Sequence, residues 1–377
     1  MEKAPIGLYI HLPFCVKKCN YCAFTSVVAN DEDKKEYVNN LLTEIRLRAK
    51  ELSGTKILNT IYIGGGTPSS LPAGEITKIM DTINKNFSIS SGAEITIECN
   101  PSSLTKEKAK EYISAGINRF SLGLQSAQNS HLKTLGRLHT ADTFKNAVEI
   151  LHSLDVKNIN GDLMLGIPNQ TKEDVVNSVN FLAGLDVQHI SIYMLELEGD
   201  TPFKRLYDNN MLPLPTDEET IELYNTAKET LEKFGFNRYE VSNFAKLGFE
   251  SKHNKNYWNR GEYLGVGASA ESFINGFRFG NTKDIKSYNL YISKEEIPLE
   301  YKEKVTTEEA LEETVMLSLR TENGLNLETV SQEFVKDNKD KLKSFIKDGL
   351  LVITKNNHLK ATDKGFAVLD YIIENLI

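Results

Sequence analysis

Six short apolar runs, with helical patterns between them, constrain the fold of this 377-residue chain more than any other feature. They cover residues 7–11, 57–63, 93–98, 119–124, 159–165 and 189–195. Most are rich in isoleucine and bounded by Gly, Pro, Asn or Asp, so they read as strands. Tyr37, Val38, Leu41, Leu42, Ile45, Ala49 and Leu52 recur every three or four residues, which predicts an amphipathic helix with Asp31 as its N-cap. Residues 140–154 and 171–185 read the same way. Strand–helix units in series imply parallel strands joined by right-handed crossovers. Six units fall short of the eight that close a full barrel, so the expected fold is α/β, a partial (βα)6 TIM-type barrel with its chemistry at the carboxyl ends of the strands.

The rest of the chain changes character. A helix is expected at 216–234, followed by a stretch rich in Asn, Gly and aromatics. From 306 the reading is helices at 308–319, 327–335 and 337–347, a hairpin-like pair at 350–353 and 358–360, and a final helix at 363–375. That order suggests a C-terminal α-rich, winged-helix-like domain. The expected division is a core at 1–235, a connecting region at 236–304 and the C-terminal domain at 305–377. The winged-helix pattern does not bring a nucleic-acid partner with it. Residues 301–377 hold 11 Lys/Arg against 14 Asp/Glu, and the whole chain carries 44 against 52, a net charge of −8. Phosphate contacts need the opposite sign. There is no run of 18 apolar residues and no basic-then-apolar leader pattern, so the expected address is the cytoplasm.

Four cysteines are too few for a disulfide framework. Cys15, Cys19 and Cys22 nevertheless fall within eight residues, directly after the first strand. Structural zinc takes four protein ligands, usually from paired units; this loop offers three thiols, with His11 as a conceivable fourth. Iron–sulfur clusters are also held by thiolates, and three of them leave one iron of a four-iron cube open. Cys99 stands apart and reads as a small buried residue. At the ends of successive strands stand Tyr9, the run Gly64-Gly65-Gly66-Thr67-Pro68, Glu98, Gln125 and Asp162, with Arg137 nearby. A glycine run either makes a tight turn or offers backbone N–H groups to a carboxylate. A carboxylate such as Glu98 can accept from an ammonium group.

The Cys-x-x-x-Cys-x-x-Cys spacing after a first βα strand resembles the radical S-adenosylmethionine (SAM) superfamily. In that family the open iron chelates the methionine part of SAM, and one electron cleaves it to a 5′-deoxyadenosyl radical. The runs LYIHLPFC at 8–15, GGGTP at 64–68, ECNP at 98–101, SLGLQS at 121–126 and DLMLGIP at 162–168 are similar to the oxygen-independent coproporphyrinogen III oxidase family, over nearly the whole chain. The resemblance implies a [4Fe-4S] cluster on Cys15, Cys19 and Cys22. It implies SAM contacts from Tyr9, Tyr21, Gly65, Gly66, Thr67, Glu98, Gln125, Arg137 and Asp162, with Arg137 and Asp162 reaching the carboxylate and ribose regions.

Three features point within that family to its haem-chaperone branch. The oxidases carry a fourth cysteine two positions after the third; here that position is Phe24. The oxidases have a longer arm before the first strand, whereas eight residues precede Tyr9 here. Residues 253–258 match the HNxxYW signature of the chaperones. His253, Tyr257 and Trp258 are thus candidate haem contacts, since imidazole ligates haem iron and aromatic rings stack on porphyrins. On residue chemistry alone, Trp258 as a buried anchor and His253 as a turn residue is the favoured reading; the family likeness favours haem contact by the protein instead, without making His253 the iron ligand. The resemblance implies haem as cargo and apo-haemoprotein clients, including respiratory enzymes at the inner face of the membrane. It also suggests a homodimer. The competing activity is oxidative decarboxylation of coproporphyrinogen III; a tRNA-modifying role is disfavoured by the charge.

Overall fold

A computed structural model describes residues 3–52 and 54–377. The six expected strands are all present: β1 (Ala4–Leu12), β2 (Lys56–Gly65), β3 (Ser88–Cys99), β4 (Arg119–Gln125), β5 (Ile159–Leu165) and β6 (His189–Met194). Each pairs in parallel with the next. The stretch that read as irregular supplies β7 (Asn237–Glu240), β8 (Asn243–Ala245), β9 (Tyr263–Val266), β10 (Glu271–Ile274), β11 (Phe277–Asn281) and β12 (Leu299–Lys304). Among the described residues these join the same sheet, in the order β12-β11-β10-β9-β1-β2-β3-β4-β5-β6-β8-β7. β9 lies parallel to β1 and so extends the parallel set by a seventh strand; the others added are antiparallel.

The sheet is curled. Tyr239 of β7 accepts a hydrogen bond from the Ser251 backbone (3.3 Å), and the Ser251 hydroxyl donates to Glu94 of β3 (3.4 Å). These strands stand five places apart in the sheet. A flat sheet would separate them by roughly 24 Å. One residue can bridge them only across the inside of an open barrel.

The two faces of the barrel strands differ sharply. One side carries Leu8, Ile10, Ile61, Ile63, Phe120 and Leu122, all buried in the main core under the helices. The alternate positions carry Tyr9, His11, Thr60, Tyr62, Glu98, Ser121, Asn160, Asp162, His189 and Ser191. Closed barrels usually fill this interior with branched apolar side chains. Here it is polar through its depth, which prepares it for a polar ligand.

The helices follow their caps. Thr140, Thr171 and Thr216 each close a capping box at the start of Ala141–His152, Lys172–Gly184 and Asp217–Lys233. The Asp31 cap is corrected. Asp31 is already the first residue of helix Asp31–Leu52, and Asn30 Oδ1 accepts from the Asp33 backbone at 2.9 Å instead. Asp31 pairs with Lys34 (3.3 Å).

The C-terminal part has its own core, around Val315, Leu325, Phe345, Leu359 and Ile372. β13 (Leu325–Asn326), β14 (Leu351–Ile353) and β15 (His358–Ala361) form a separate sheet in the order β13-β15-β14, with the expected hairpin between β14 and β15. Two expected helices change. The one read at 327–335 starts only at Gln332, capped by Ser331, because Asn326 first makes a turn with Glu328 and Thr329. The one read at 363–375 breaks into Asp363–Phe366 and Leu369–Leu376.

Candidate cluster and cofactor site

The loop that follows β1 holds Cys15, Cys19 and Cys22. Its base is pinned by two backbone bonds, Val27 N–H to Pro13 O (2.7 Å) and Cys15 N–H to Val27 O (2.9 Å). A turn brings the Cys22 N–H to Cys19 O (3.3 Å). All three thiols are free and half-buried. Burial pushes the Cys22 thiol up, and Cys19 and Cys15 add to this as neighbouring thiolates would. The Cys22 thiol therefore resists ionising unless positive charge arrives to hold it. His11, the conceivable fourth zinc ligand, is engaged elsewhere: Nδ1 with the Tyr9 hydroxyl (2.9 Å) and Nε2 with Thr25 O (3.1 Å).

Candidate SAM residues reach this loop directly. The Thr67 hydroxyl lies 3.6 Å from Cys15 Sγ, and Arg137 Nη1 lies 3.6 Å from Cys19 Sγ. Arg137 also donates to Gly123 O (3.1 Å), while its buried Nε has no partner. Gln125 ends β4 at φ 69° after a bulge, and its side chain is buried beside Gly123. Asp162 accepts from Asn160 Nδ2 (2.6 Å). Tyr21 packs against Leu135, Met164, Ile167 and Phe203.

The N–H groups at and after the end of β2 find their partners inside the protein. The Gly65 N–H donates to Glu98 Oε2 (3.1 Å), Gly66 N–H to Leu12 O (2.9 Å) and Thr67 N–H to Phe14 O (2.7 Å). These donors are therefore spent inside the protein and do not wait for a carboxylate. The glycines serve close packing. A Cβ on Gly65, at φ +111°, would sit 2.7 Å from the His11 ring, and one on Gly66 would sit 2.7 Å from Phe14 O. The run thus seats the cysteine loop on β2.

Glu98 accepts from Gly65 N–H and from the Tyr62 hydroxyl (2.8 Å). Burial raises its pKa to about 7; the Tyr62 and Gly65 bonds oppose this and Asp162 adds to it. A carboxylate with spare lone pairs in such a place suits an arriving ammonium group. Tyr62 and Tyr9 stack at 6.3 Å. Cys99 is buried, which pushes its thiol up to about 12, and it takes no part in the loop.

The HNxxYW segment forms helix Lys252–Trp258 on the inner side of β2 and β3. Glu94 caps it, accepting from the Lys252 and His253 backbones at 3.1 Å each. The candidate haem residue His253 is enclosed on all sides. Its ring is 1% exposed and stacks on Tyr62 at 5.2 Å. Nδ1 bonds the Thr60 hydroxyl (2.7 Å) and Nε2 the Tyr257 hydroxyl (2.8 Å), so both ring nitrogens have a partner inside the protein. Burial, with Arg119 nearby, lowers its pKa to about 3. Tyr257 is held edge-on by His253 and Tyr263, both at 4.7 Å, and Trp258 is half-buried.

The comparisons with known proteins decide the lineage. The radical SAM superfamily matches residues 9–182, and the HemN C-terminal domain matches residues 305–368. The haem chaperone HemW of Bacillus subtilis is 37% identical over 90% of both chains. HemW of Lactococcus lactis is 33% identical over the whole of this chain and 98% of its own, and HemW of Escherichia coli is 35% identical over 72% and 70%. This chain belongs to the HemW family of the radical SAM superfamily. Its fold matches the solved coproporphyrinogen III oxidase HemN of E. coli, with TM-score 0.86 over 99% of this chain and 90% of that one, at 23% identity. Radical SAM membership implies a [4Fe-4S] cluster and SAM, and the free thiol triad and the partnerless Arg137 Nε fit both.

Several residues of the site carried no motif. Thr60, Tyr62, Glu94, Arg119 and Asn160 were legible only as polar positions alternating within apolar strands. Asn160 joins Ser121 (2.7 Å), Asp162 and His189 (2.6 Å), and so fixes the far wall.

Proposed function

We propose that this chain is a haem chaperone: it binds haem and passes it to apo-haemoproteins, while carrying a [4Fe-4S] cluster and SAM. The observation that carries this is the kinship with proteins named haem chaperones over 90% of both lengths. Phe24 at the oxidases' fourth cysteine position supports it.

Cys15, Cys19 and Cys22 would hold the cluster, leaving one iron for the amino and carboxylate groups of SAM. When bound, the cluster supplies one electron to the sulfonium. The chain's own groups do the rest. Glu98 would give up its proton and accept from an N–H of the SAM amino group. Arg137, beside Cys19, would meet the carboxylate, and Asp162 the ribose. Tyr9, Tyr21, Gly65, Gly66, Thr67 and Gln125 would shape the pocket. Residues 1–235 would form the working core together with 236–304, whose strands β7–β12 complete the same sheet, and 305–377 an accessory domain. The proposed clients include respiratory enzymes at the inner face of the membrane, reached from the cytoplasm, and a homodimer is part of the proposal. Among the described residues no helix is long and apolar enough to cross a membrane, so contact with such clients would come from a surface.

The test is anaerobic reconstitution followed by two assays. Haem bound by the chain should appear in an apo-haemoprotein, and coproporphyrinogen III with SAM should give no protoporphyrinogen. Robust turnover would establish the oxidase instead.

A further inference from the structure

Exposed apolar side chains are unevenly placed on the barrel. Among the described residues up to 235, twelve large hydrophobics are exposed; eight of them follow the carboxyl ends of β1, β4 or β6, and Tyr193 and Met194 end β6 itself. Val16, Phe24, Val27 and Val28 belong to the cysteine loop, with Phe24 at 72% and Val28 at 65%. Leu138 follows β4 beside Arg137. Leu206, Tyr207 and Met211 (68%) lie on and after helix Pro202–Asp208. The three segments touch. Asn20 N–H donates to Leu135 O (3.0 Å) and its side chain to Thr134 O (2.9 Å); Phe203 N–H donates to Asn20 O (3.0 Å). One apolar rim therefore surrounds the mouth above the thiols. Monomeric proteins rarely leave such a patch without a purpose.

Charge accompanies it. Lys17 and Lys18 are exposed in the same loop and make no ion pair among the described residues, in a chain of net charge −8. An apolar platform edged by two unpaired ammonium groups is complementary to a flat apolar macrocycle with two carboxylates on one edge. The histidines do not compete for this role. None of the seven is exposed, so no imidazole stands ready on the surface. The iron-ligating groups the rim does expose are the thioethers of Met194 and Met211 and the phenol of Tyr207.

We propose that haem docks on this rim, with its face on Phe24 and Val28 and its propionates on Lys17 and Lys18. The HNxxYW helix is not its seat. The inference rests on the haem-binding reading above and gives that binding a place. The residue that replaces the oxidases' fourth cysteine then becomes part of the cargo site.

The test is haemin titration of the full, reconstituted chain, followed at the Soret band. Three variants are compared with it: Phe24→Ser/Val28→Ser, Lys17→Glu/Lys18→Glu, and Ile221→Ser as an exposed apolar control off the rim. Each rim double variant should weaken haem binding at least about tenfold while keeping its iron and its SAM binding, and the control should bind as the parent does. If the parent shows no Soret shift, haem binding itself is wrong. If the parent binds and the rim variants bind equally well, only the docking site is wrong. A rim variant that also loses iron is judged by hydrogen exchange on the parent. Haem-dependent protection of residues 24–28 and 206–211 supports the rim; no protection overturns it. A dimer that forms without haem and is abolished by the rim variants would assign the patch to a second copy and overturn the proposal.

Discussion

The cysteine loop and the HNxxYW helix are the two segments that the sequence marks most clearly, and the fold treats them in opposite ways. The loop stands at the mouth, with exposed apolar side chains and thiols that bond to no other cysteine. The helix lies against β2, with its histidine sealed in and both ring nitrogens engaged. A motif that looks like a ligand set can thus be a brace. His253 touches Thr60 and stacks on Tyr62, and Tyr62 holds Glu98. The helix reaches the cofactor site through the barrel wall.

The largest expected effect is on the loop. Cys19→Ser should lose the cluster, with iron falling from about four per chain to below one, and with it the brown colour of anaerobic protein. The fold should survive, because the loop's base is held by backbone bonds at Pro13, Cys15 and Val27. A loss of folding in step with the iron would break the contrast between a chemical loop and a structural helix.

His253→Ala should do the reverse. Removing a buried, doubly bonded ring leaves a cavity and two stranded hydroxyls, which costs about 2–4 kcal/mol of stability. The Soret shift on haem addition should persist. The pH dependence has a definite sign. The pKa of about 3 lies below that of an unfolded histidine, about 6.5, so the unfolded chain binds the extra proton between those values. The His253 contribution therefore weakens stability as pH falls from about 6.5 toward 3, and the variant should lose that part of the acid sensitivity. A His253→Ala protein as stable as its parent, but blind to haem, would return the motif to the haem site.

How much of this was legible in the sequence follows from where the signals arise. The barrel strands were readable because a strand buried on both sides alternates between apolar residues toward the helices and polar ones toward the interior. β9 was not, because four residues with a central glycine carry too little pattern, and its pairing with β1 is a long-range contact. The thiol triad was legible from spacing alone. The role of the glycine run was not, because its N–H partners, Leu12 and Phe14, lie about fifty residues away in sequence. The HNxxYW motif showed that a histidine mattered without showing which way its ring faced.

Glu98 sharpens the comparison from the cofactor side. Its folded pKa of about 7 lies above the ordinary carboxylate value, so the native state holds an extra proton between about 4.5 and 7, and this contribution to stability is lost as pH rises through 7. For Glu98 to accept from the SAM amino group as a carboxylate, that proton must leave. SAM affinity should then fall by up to about tenfold per pH unit below 7, as read by calorimetry on the reconstituted protein. Glu98→Gln should bind SAM weakly at every pH, without that slope. A parent with pH-independent SAM affinity between 5 and 7 would remove Glu98 from the ammonium site.

The smallest effect lies where the cysteine loop ends. Asn30 caps helix Asp31–Leu52, and three acidic residues in the first turn add to the favourable end charge. Asn30→Ala strands the Asp33 N–H and should cost about 1 kcal/mol, seen as a modestly lower melting temperature. Iron content should be unchanged, since the backbone bonds between Pro13, Cys15 and Val27 close the loop before the helix begins. If iron falls as well, the loop takes its shape from the helix that follows it, and the cluster end of the molecule is less self-contained than its backbone bonds make it.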